Sequence, residues 1–212
     1  MCDHKNRDLN MILCFYIITQ NGDEIKMMKK HIEKNKGKQQ SNIDFKLMSF
    51  CLRTRDFFKN PMNKIEKTNL KSGDVIVDYG CGPGSFTFPA AEVVGHEGKV
   101  YAADRHPLAM KKIQRRAKRK GLENIETIQT ECKLNLEDKS VDKILLIDVL
   151  HSLNNYEQNL EEFHRILKPK SYLFVDDHHS NGEEIIPKIT EDKLFKFLKS
   201  VDSVYYFQKI DY

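Results

Sequence analysis

The stretch Val75-Ile76-Val77-Asp78-Tyr79-Gly80-Cys81-Gly82-Pro83-Gly84 decides the fold of this chain. The apolar residues before Gly80 predict a short buried strand, because strands covered on both faces read as continuous apolar runs. The glycines at positions 80, 82 and 84 permit backbone angles and a close approach that a Cβ would block. A strand that ends in such a turn, followed by a helix, is a place where a ligand can lie against the backbone.

A helix and a second strand follow this turn. The helical face comprises Phe86, Ala90, Val93 and Val94. Gly95 suits the end of that helix, and residues 99–103 form an apolar run that ends at Asp104. Pro107 suits the first turn of a further helix, which stops at Gly121. The region therefore predicts a strand, a helix, a strand and a helix in succession.

Strands and helices continue to alternate towards the C-terminus. Residues 125–129, 141–147 and 172–175 read as strands. A helical face between the last two comprises Tyr156, Leu160, Phe163, Ile166 and Leu167. Residues 194–198 and 204–207 are rich in aromatic residues and close together, which predicts an antiparallel hairpin. The pattern is typical of an α/β fold of parallel βαβ units with a hairpin at its end.

Residues 1–40 are predicted to form an N-terminal extension that can be mobile, because their sequence is irregular and its lysine-rich part has few core-type residues. They include an apolar run at 11–19 and a lysine-rich tract at 26–38. The apolar run is about half as long as a membrane span requires, and no small-residue cleavage site follows it. We therefore expect neither a membrane span nor export.

An amphipathic helix is predicted over residues 43–58, between this extension and the glycine turn. Its apolar positions are Ile43, Leu47, Phe50 and Cys51. Because it lies just upstream of the turn, we expect residues 41–69 to form a helical cap or lid over a domain that spans residues 70–212.

Length and composition limit the class of protein. With 212 residues, of which 40% are hydrophobic, the chain can form one α/β domain with an appendage but not two full domains. A formal net charge of +4 gives little support to a polyanionic partner. The five cysteines are Cys2, Cys14, Cys51, Cys81 and Cys132. Their odd number and wide spacing fit neither a disulfide framework nor a zinc knuckle, so we expect a cytoplasmic location.

Two acids accompany the glycine turn. Asp104 lies at the end of the second strand, where an acid accepts hydrogen bonds from both ribose hydroxyls of an adenosine group. Asp78 precedes Gly80 by two positions, where a carboxylate would crowd a pyrophosphate but suits the ammonium group of a methionine tail. The turn and its acids therefore favour an adenosine cofactor with a cationic tail.

Four segments closely resemble the successive motifs of the class I, Rossmann-like methyltransferases that depend on S-adenosylmethionine and act on small molecules. They are Val75 to Gly84, Val100-Tyr-Ala-Ala-Asp104, Asp148-Val-Leu-His151 and Arg165-Ile-Leu-Lys-Pro169. The resemblance covers the chain from about Leu70 onwards. It implies a doubly wound, mostly parallel sheet of seven strands in the order 3-2-1-4-5-7-6. It also implies S-adenosylmethionine as cofactor and S-adenosylhomocysteine as product.

The resemblance assigns roles to individual residues. Those implied in cofactor binding are Asp78, Gly80, Cys81, Gly82, Gly84, Asp104, Arg105, Glu131 and Asp148. Asp78 and the glycines would hold the methionine part, Asp104 the ribose, and Arg105 would flank the adenine. Glu131 stands where the family usually has an aspartate that meets the adenine amino group.

Acids and histidines follow the fourth and fifth strands, namely Asp148, His151, Asp176, Asp177, His178 and His179. The carboxyl ends of these strands neighbour the cofactor turn, so the cluster should surround the transferable methyl group. His151 and His178 are the candidate catalytic bases, although a histidine there can equally cap or pack. No metal is predicted. Asp176, His178 and His179 are only weak candidates, because alternation along a strand points neighbours in opposite directions.

The lead hypothesis is methyl transfer to a small-molecule acceptor, with the oligomeric state left open. A basic helix favours an RNA or protein methyltransferase instead, although such helices are more often simply solvated. Its residues are Lys111, Lys112, Arg115, Arg116, Lys118, Arg119 and Lys120. A nicotinamide-dependent oxidoreductase and an inactive adenosine-binding module are further alternatives. Thiol-based metalloid chemistry is another use for Cys51, Cys81 and Cys132, but burial is the default for the last two.

Overall fold

The computed structural model describes residues 41–153 and 155–211 of the chain. The N-terminal extension, with the apolar run at 11–19 and the lysine-rich tract at 26–38, lies outside the described residues. The chain divides into two compact units between Asn60 and Pro61. None of the helices in the described residues is long and apolar enough to cross a membrane.

The first unit contains helix α1, Asn42–Phe58, where the sequence predicts a helix. Its buried residues include Phe45 and Cys51, whereas Ile43 and Phe50, which were predicted to lie on the same face as Cys51, are exposed. Ile43 and Phe50 are seven positions apart, so they share a stripe of the helix that does not contain Phe45. Cys51 is disulfide-bonded, which corrects the expectation that the cysteines do not pair.

The second unit is a seven-stranded sheet with helices on both faces. Its elements are α2 (Met62–Glu66), β1 (Val75–Tyr79), α3 (Thr87–Val94), β2 (Lys99–Asp104), α4 (Pro107–Lys120), β3 (Ile125–Gln129), β4 (Val141–Ile147), α5 (Tyr156–Ile166), β5 (Leu167–Asp176), α6 (Gly182–Thr190), β6 (Phe195–Val201) and β7 (Val204–Lys209). A short 3-10 turn, Leu150–Ser152, lies between β4 and α5.

The strands lie in the order β3-β2-β1-β4-β5-β7-β6, as predicted. Strands β1 to β5 pair in parallel, and β7 pairs antiparallel with both β5 and β6. The parallel register places Asp78 opposite Leu145, and Ile147 opposite Asp176. The ends of β1, β4 and β5 therefore lie side by side at one edge of the sheet, where the sequence predicts the cofactor and the acceptor.

Alternation along the central strands builds a hydrophobic core on each face of the sheet. Val77 and Ile144 pack on one face with Phe163 of α5. Their neighbours Ile76 and Leu145 pack on the opposite face. Successive side chains of a strand point to opposite faces, so both residue parities must be apolar here. This explains why the strands read as unbroken apolar runs.

Some elements differ from the sequence prediction. Strand β5 begins at Leu167, earlier than the predicted 172–175, because the residues after α5 pass directly into the sheet and Leu167 pairs with Val141. Helices α2 and α6 were not predicted. Helix α2 has only five residues, and α6 contains Pro187, which is a poor signal for a helix interior.

A buried carboxylate connects α5 to the loop between β3 and β4. Glu162 is 1% exposed and accepts hydrogen bonds from the guanidinium of Arg165 at 2.8 and 3.0 Å. It also accepts the backbone N–H of Leu134 at 2.8 Å. Burial acts to raise the pKa of Glu162, but the hydrogen bonds and positive charges around it outweigh burial and lower that pKa. The ionised form therefore stabilises the native state.

Replacing this carboxylate tests that conclusion. We expect Glu162→Gln to reduce the free energy of unfolding at pH 7 by about 2 kcal/mol, because the buried side chain loses its charged hydrogen bonds with Arg165. A lowered native pKa gives stability that is lost as pH falls through it, so the deficit should shrink below about pH 4.5. Urea unfolding at several pH values measures both. Glu161→Gln, at an exposed neighbour, is the matched control; an equal loss in the two variants contradicts the interpretation.

Candidate active site at the carboxyl ends of β1, β2, β4 and β5

The turn between β1 and α3 has a left-handed backbone at each of its three glycines. The φ angles are 73° at Gly80, 51° at Gly82 and 91° at Gly84. The amides of Gly80 and Cys81 both donate to the carbonyl oxygen of Ala103, at 2.8 and 3.0 Å, which ties the turn to β2. The loop is therefore held in one shape by the neighbouring strand.

Each glycine is required for a different spatial reason. A Cβ on Gly80 would lie 2.3 Å from a methyl carbon of Val149, and a Cβ on Gly84 would lie 2.5 Å from the ring of Phe88. A Cβ on Gly82 would meet no atom within 4 Å. Packing therefore excludes side chains at two of the positions, whereas Gly82 faces open space in which a ligand can approach the backbone.

Asp78 is a buried acid at the end of β1. It is 2% exposed, and its Oδ2 accepts the hydroxyl of Thr87 at 2.6 Å. Burial raises the pKa of Asp78 to about 7, and nearby Asp104 adds to the rise while the Thr87 hydrogen bond opposes it. A cationic ligand would favour the ionised form and offset this cost. The arrangement fits an ammonium group next to the glycine turn.

Asp104 bridges the turn and the start of α4. Its Oδ2 accepts the amide N–H of Gly82 at 2.9 Å, and its Oδ1 accepts that of His106 at 2.7 Å. Burial raises the pKa of Asp104, although both backbone hydrogen bonds oppose the rise. Each carboxylate oxygen retains acceptor capacity, because it can accept two hydrogen bonds. The carboxylate is thus held against the turn in a position that suits a pair of ribose hydroxyls.

For Arg105 and Glu131, two further residues predicted to bind the cofactor, the hydrogen bonds described involve the backbone and not the side chain. Arg105 is half-buried, and its carbonyl oxygen accepts the side-chain amide of Gln129 at 3.4 Å. The side chain of Glu131 is exposed, but its carbonyl oxygen lies 2.8 Å from the Tyr79 hydroxyl, which anchors the backbone there. These positions border the turn, and their roles stay predictions.

The free cysteines in the described residues are Cys81, within the turn, and Cys132. Burial raises the pKa of the Cys81 thiol well above its ordinary value, and the charges of Asp78 and Asp104 add to that rise. Burial also raises the pKa of Cys132. Both groups are therefore protonated at neutral pH, which argues against thiolate chemistry here.

The end of β4 carries a strained residue. Asp148 has a φ of 58°, a left-handed conformation that is uncommon outside glycine. Its amide donates to the carbonyl oxygen of Asp176 at 2.7 Å, and its Oδ1 lies 2.8 Å from Nδ1 of His178. Asp148 follows directly after Ile147, the last residue of β4, so these two contacts connect the end of β4 to the end of β5.

A second histidine and acid pair lies beside the first. Oδ2 of Asp177 is 2.8 Å from Nδ1 of His151 and also accepts the His151 amide at 2.9 Å, while its Oδ1 accepts the His179 amide at 2.9 Å. The side chain of Asp177 is fully buried. Burial acts to raise the pKa of Asp177, but these hydrogen bonds and the charge of His151 outweigh it, and the pKa is lowered.

Three imidazole rings are packed together at this edge of the sheet. The ring of His179 lies 4.3 Å from that of His151 and 3.9 Å from that of His178, between centroids. Burial, together with the charges of the other two rings, lowers the pKa of His179 to about 4. His179 is therefore neutral at pH 7.

Asp176 does not join this cluster. Its Oδ2 pairs with the ammonium of Lys64 at 2.6 Å and accepts the hydroxyl of Ser203 at 2.7 Å. Within the described ranges, no group of three or more histidine, cysteine or acidic side chains is arranged to hold a metal ion. The weak metal candidates Asp176, His178 and His179 thus do not form a common ligand set.

Some residues of this site were not singled out from the sequence. They are Thr87, which binds Asp78, and Val149, which packs against Gly80. Nothing in the local pattern distinguishes either residue from an ordinary helix or loop position. Strand alternation could have distinguished Asp177 from Asp176 as the partner of His151. Asp177 has the same parity along the chain as Val175, whose side chain packs on the same face of the sheet as Leu150.

The sheet order, the antiparallel β7 and the glycine turn flanked by Asp78 and Asp104 define the fold of the class I methyltransferases. The chain belongs to the family described as methyltransferase domain, whose profile matches residues 70–209.

Proteins with similar sequences are also named as methyltransferases. Demethylmenaquinone methyltransferase of Geobacillus stearothermophilus is 30% identical over 123 residues, which is 58% of this chain and 53% of that protein. The ubiquinone/menaquinone biosynthesis C-methyltransferase UbiE of Ectopseudomonas mendocina is 27% identical over 136 residues, 63% of this chain and 53% of that protein. The chain thus spans about half the length of these curated relatives.

Among solved structures, a SAM dependent methyltransferase from Aquifex aeolicus superimposes with a TM-score of 0.68 at 24% identity. The match covers 76% of this chain and 98% of that one. The likeness shows the fold.

Substitutions at two glycines should separate packing from ligand approach. We expect Gly82→Ala to cost about 1 kcal/mol in stability, for its left-handed backbone, yet to weaken S-adenosylhomocysteine binding about tenfold or more. Gly80→Ala should cost about 3 kcal/mol, because its Cβ would overlap Val149. Thermal unfolding and calorimetric titration measure the two effects. Unchanged affinity in Gly82→Ala would show that no ligand lies against this turn.

The raised pKa of Asp78 predicts a pH-dependent affinity. A cationic tail binds the ionised carboxylate, so affinity for S-adenosylhomocysteine should fall up to about tenfold for each pH unit below 7 and level off above it. Asp78→Asn should bind weakly and without this dependence between pH 5.5 and 8. Asp202→Asn, at an exposed acid in the β6–β7 turn, should retain the wild-type profile. A flat wild-type profile contradicts the prediction.

Proposed function

We propose that this protein is an enzyme that transfers a methyl group from S-adenosylmethionine to a small-molecule acceptor. The observation that carries the proposal is the turn after β1, with open space at Gly82, the buried acid Asp78 before it and the half-buried acid Asp104 hydrogen-bonded to it. Family membership over residues 70–209 supports the same cofactor. A neutral ligand would leave unexplained why an acid with a pKa of about 7 is buried beside the turn.

The residues of the turn would divide the binding of the cofactor among them. Asp78 would bind the ammonium group, and the backbone of Gly80 to Gly84 would lie against the methionine part. Asp104 would accept the ribose hydroxyls, while Arg105 and Glu131 would border the adenine. Asp148 would lie near the methionine end, since Val149, its neighbour, packs against Gly80.

When bound, S-adenosylmethionine supplies a methyl group on a positively charged sulfur, and its displacement requires an aligned nucleophile in a pocket from which water is excluded. The histidine cluster after β4 and β5 lies next to the glycine turn, because β1 and β4 are direct neighbours. His151 and His178 would contact an acceptor there, with their rings held by Asp177 and Asp148.

The curated relatives favour a small organic acceptor. The relatives from Geobacillus stearothermophilus and Ectopseudomonas mendocina are named as methyltransferases of demethylmenaquinone and of ubiquinone/menaquinone biosynthesis. Another relative, 26% identical over 154 residues, is named as a probable N-methyltransferase of (S)-tetrahydroprotoberberine in Papaver bracteatum. We propose that the acceptor of this chain is a flat or cyclic organic molecule, comparable in size to the compounds in the names of these relatives.

The basic helix α4 gives less support to a nucleic-acid acceptor. Ile113 and Ala117 are buried, and two of the basic residues have partners within the domain. Arg116 lies over the ring of Phe88 at 4.1 Å, and Lys120 pairs with Glu92 at 2.7 Å. The exposed remainder is a solvated face of an ordinary amphipathic helix. The lid role of residues 41–69 and the cytoplasmic location stay predictions.

Calorimetry with competing cofactors tests the proposed function. S-adenosylhomocysteine should bind the full chain with one site, and NAD should produce no heat of binding at the same concentrations. The reason is that Asp78 would repel a pyrophosphate but attract an ammonium group. Binding of NAD without S-adenosylhomocysteine would establish the oxidoreductase alternative. A salt-dependent shift of RNA in a gel would favour the nucleic-acid acceptor instead.

A further inference from the structure

We propose that His151 is the general base of the transfer, that Asp177 is its positioning residue, and that the acceptor is therefore a hydroxyl compound of the phenol or enol class. The proposal rests on the proposed function, because it assigns the acceptor side of the same site. It follows from the contacts at the ends of β4 and β5.

Asp177 holds His151 at two points. One carboxylate oxygen, Oδ2, accepts the backbone N–H of His151 and lies 2.8 Å from its ring Nδ1. The other oxygen accepts the His179 amide, which fixes the plane of the carboxylate. Rotation of the imidazole about either side-chain bond, Cα–Cβ or Cβ–Cγ, would break the contact between Nδ1 and the buried carboxylate of Asp177. The ring is therefore held in one orientation before any acceptor binds.

The buried carboxylate also selects the tautomer of His151. Asp177 is fully buried, and its lowered pKa keeps it ionised at neutral pH, so it is an acceptor only. Nδ1 of His151 must then carry the proton of that hydrogen bond. In the neutral ring Nε2 then has the lone pair, which is the form of a histidine that removes a proton.

The second pair, His178 with Asp148, suits this task less well. The side chain of His178 is 42% exposed and that of Asp148 is 18% exposed, against 21% for His151 and none for Asp177. Solvent screens the more exposed pair and leaves its ring freer to move. His151 is therefore the better oriented base, and His178 would border the acceptor.

Within residues 41–153 and 155–211, the titratable side chains in contact with His151 come from the end of β5, namely Asp177, His178 and His179. Asp148, which follows β4, pairs with His178. His179 is neutral at pH 7, since its pKa is lowered to about 4, so it adds no positive charge beside His151. The negative charge of Asp177 stabilises the imidazolium that would form during the reaction.

The loop that carries His151 is held against the cofactor turn. Val149, two residues before His151, fills the space in which a Cβ of Gly80 would lie. The register of Asp78 with Leu145 places the residues after β4 level with the turn. The base and the donor turn are thus parts of one packed surface.

The proposed step balances as follows. Nε2 of His151 takes the proton of the acceptor hydroxyl, and the oxygen uses its electron pair to form a bond to the methyl carbon. The carbon–sulfur bond breaks with its electron pair on sulfur, which becomes the neutral thioether of S-adenosylhomocysteine. The imidazolium then releases its proton to solvent, and Asp177 keeps its charge throughout.

The substrate class follows from the need for a base. A tertiary amine has no proton to lose, so an oriented imidazole would contribute nothing to its methylation. A phenol or enol hydroxyl carries its proton at neutral pH and becomes a strong nucleophile when the proton is removed. A histidine fixed by a buried acid is suited to that acceptor.

The first test observes the base itself. In full-length protein saturated with S-adenosylhomocysteine, nitrogen-15 NMR of the imidazoles should show His151 protonated at Nδ1 and not at Nε2 at pH 8. Asp177→Asn should change this tautomer, because its amide can donate to Nδ1, while cofactor affinity stays within about twofold by calorimetry. An Nε2–H tautomer in the wild type overturns the proposal. Failure of the wild type to bind S-adenosylhomocysteine overturns the proposed function instead.

The second test measures transfer of radiolabelled methyl groups to two panels of small acceptors, phenols such as catechol and 1,4-hydroquinone, and tertiary amines. We expect labelled phenol ethers, with kcat about 100-fold lower in His151→Gln and KM for the cofactor unchanged. Asp177→Asn should lower kcat and move the acidic limb of its pH profile. His96→Gln, at an exposed histidine outside the site, should match the wild type. Label in amines alone, or equal rates in His151→Gln, contradicts the proposal.

Discussion

The contact between Gly80 and Val149 is the constraint on which the rest of this site depends. A Cβ at position 80 would lie 2.3 Å from Val149, so the end of β4 packs directly on the turn that follows β1. This packing requires glycine with a left-handed backbone, and it brings the loop of Asp148 and His151 to the edge where a cofactor would bind. The proposed donor and acceptor sides would be close because two neighbouring parallel strands, β1 and β4, end at the same level.

Three buried or half-buried carboxylates at this edge differ in their pKa because their neighbours differ. Asp78 has one hydroxyl donor and a like charge nearby, so burial dominates and its pKa rises to about 7. Asp104 has two backbone donors that oppose burial only in part. Asp177 has three donors, one of them an imidazole, and its pKa is lowered. In the proposed site, one residue type would therefore attract a cation at one strand end and orient a base at another.

Much of this architecture was predictable from local patterns. The strand at Val75–Tyr79, the helix between Pro107 and Gly121 and the C-terminal hairpin all carry their signals within a few residues, as apolar runs, capping residues and short turns. The predictions were wrong or silent where such signals are weak. Ile43 and Phe50 are exposed because the face that α1 buries depends on its surroundings, and α6 was missed because of Pro187.

The sequence by itself determined the parallel sheet, the glycine turn and the two acids that predict the cofactor, since each is encoded by residues close together along the chain. It could not determine which acid holds which histidine. Asp177 binds His151 and Asp148 binds His178, across separations of 26 and 30 residues, while Asp176 pairs with Lys64 on the other parity of the strand. Only the register of β4 with β5 decided these pairings, because side chains from different strands meet only once the sheet has formed.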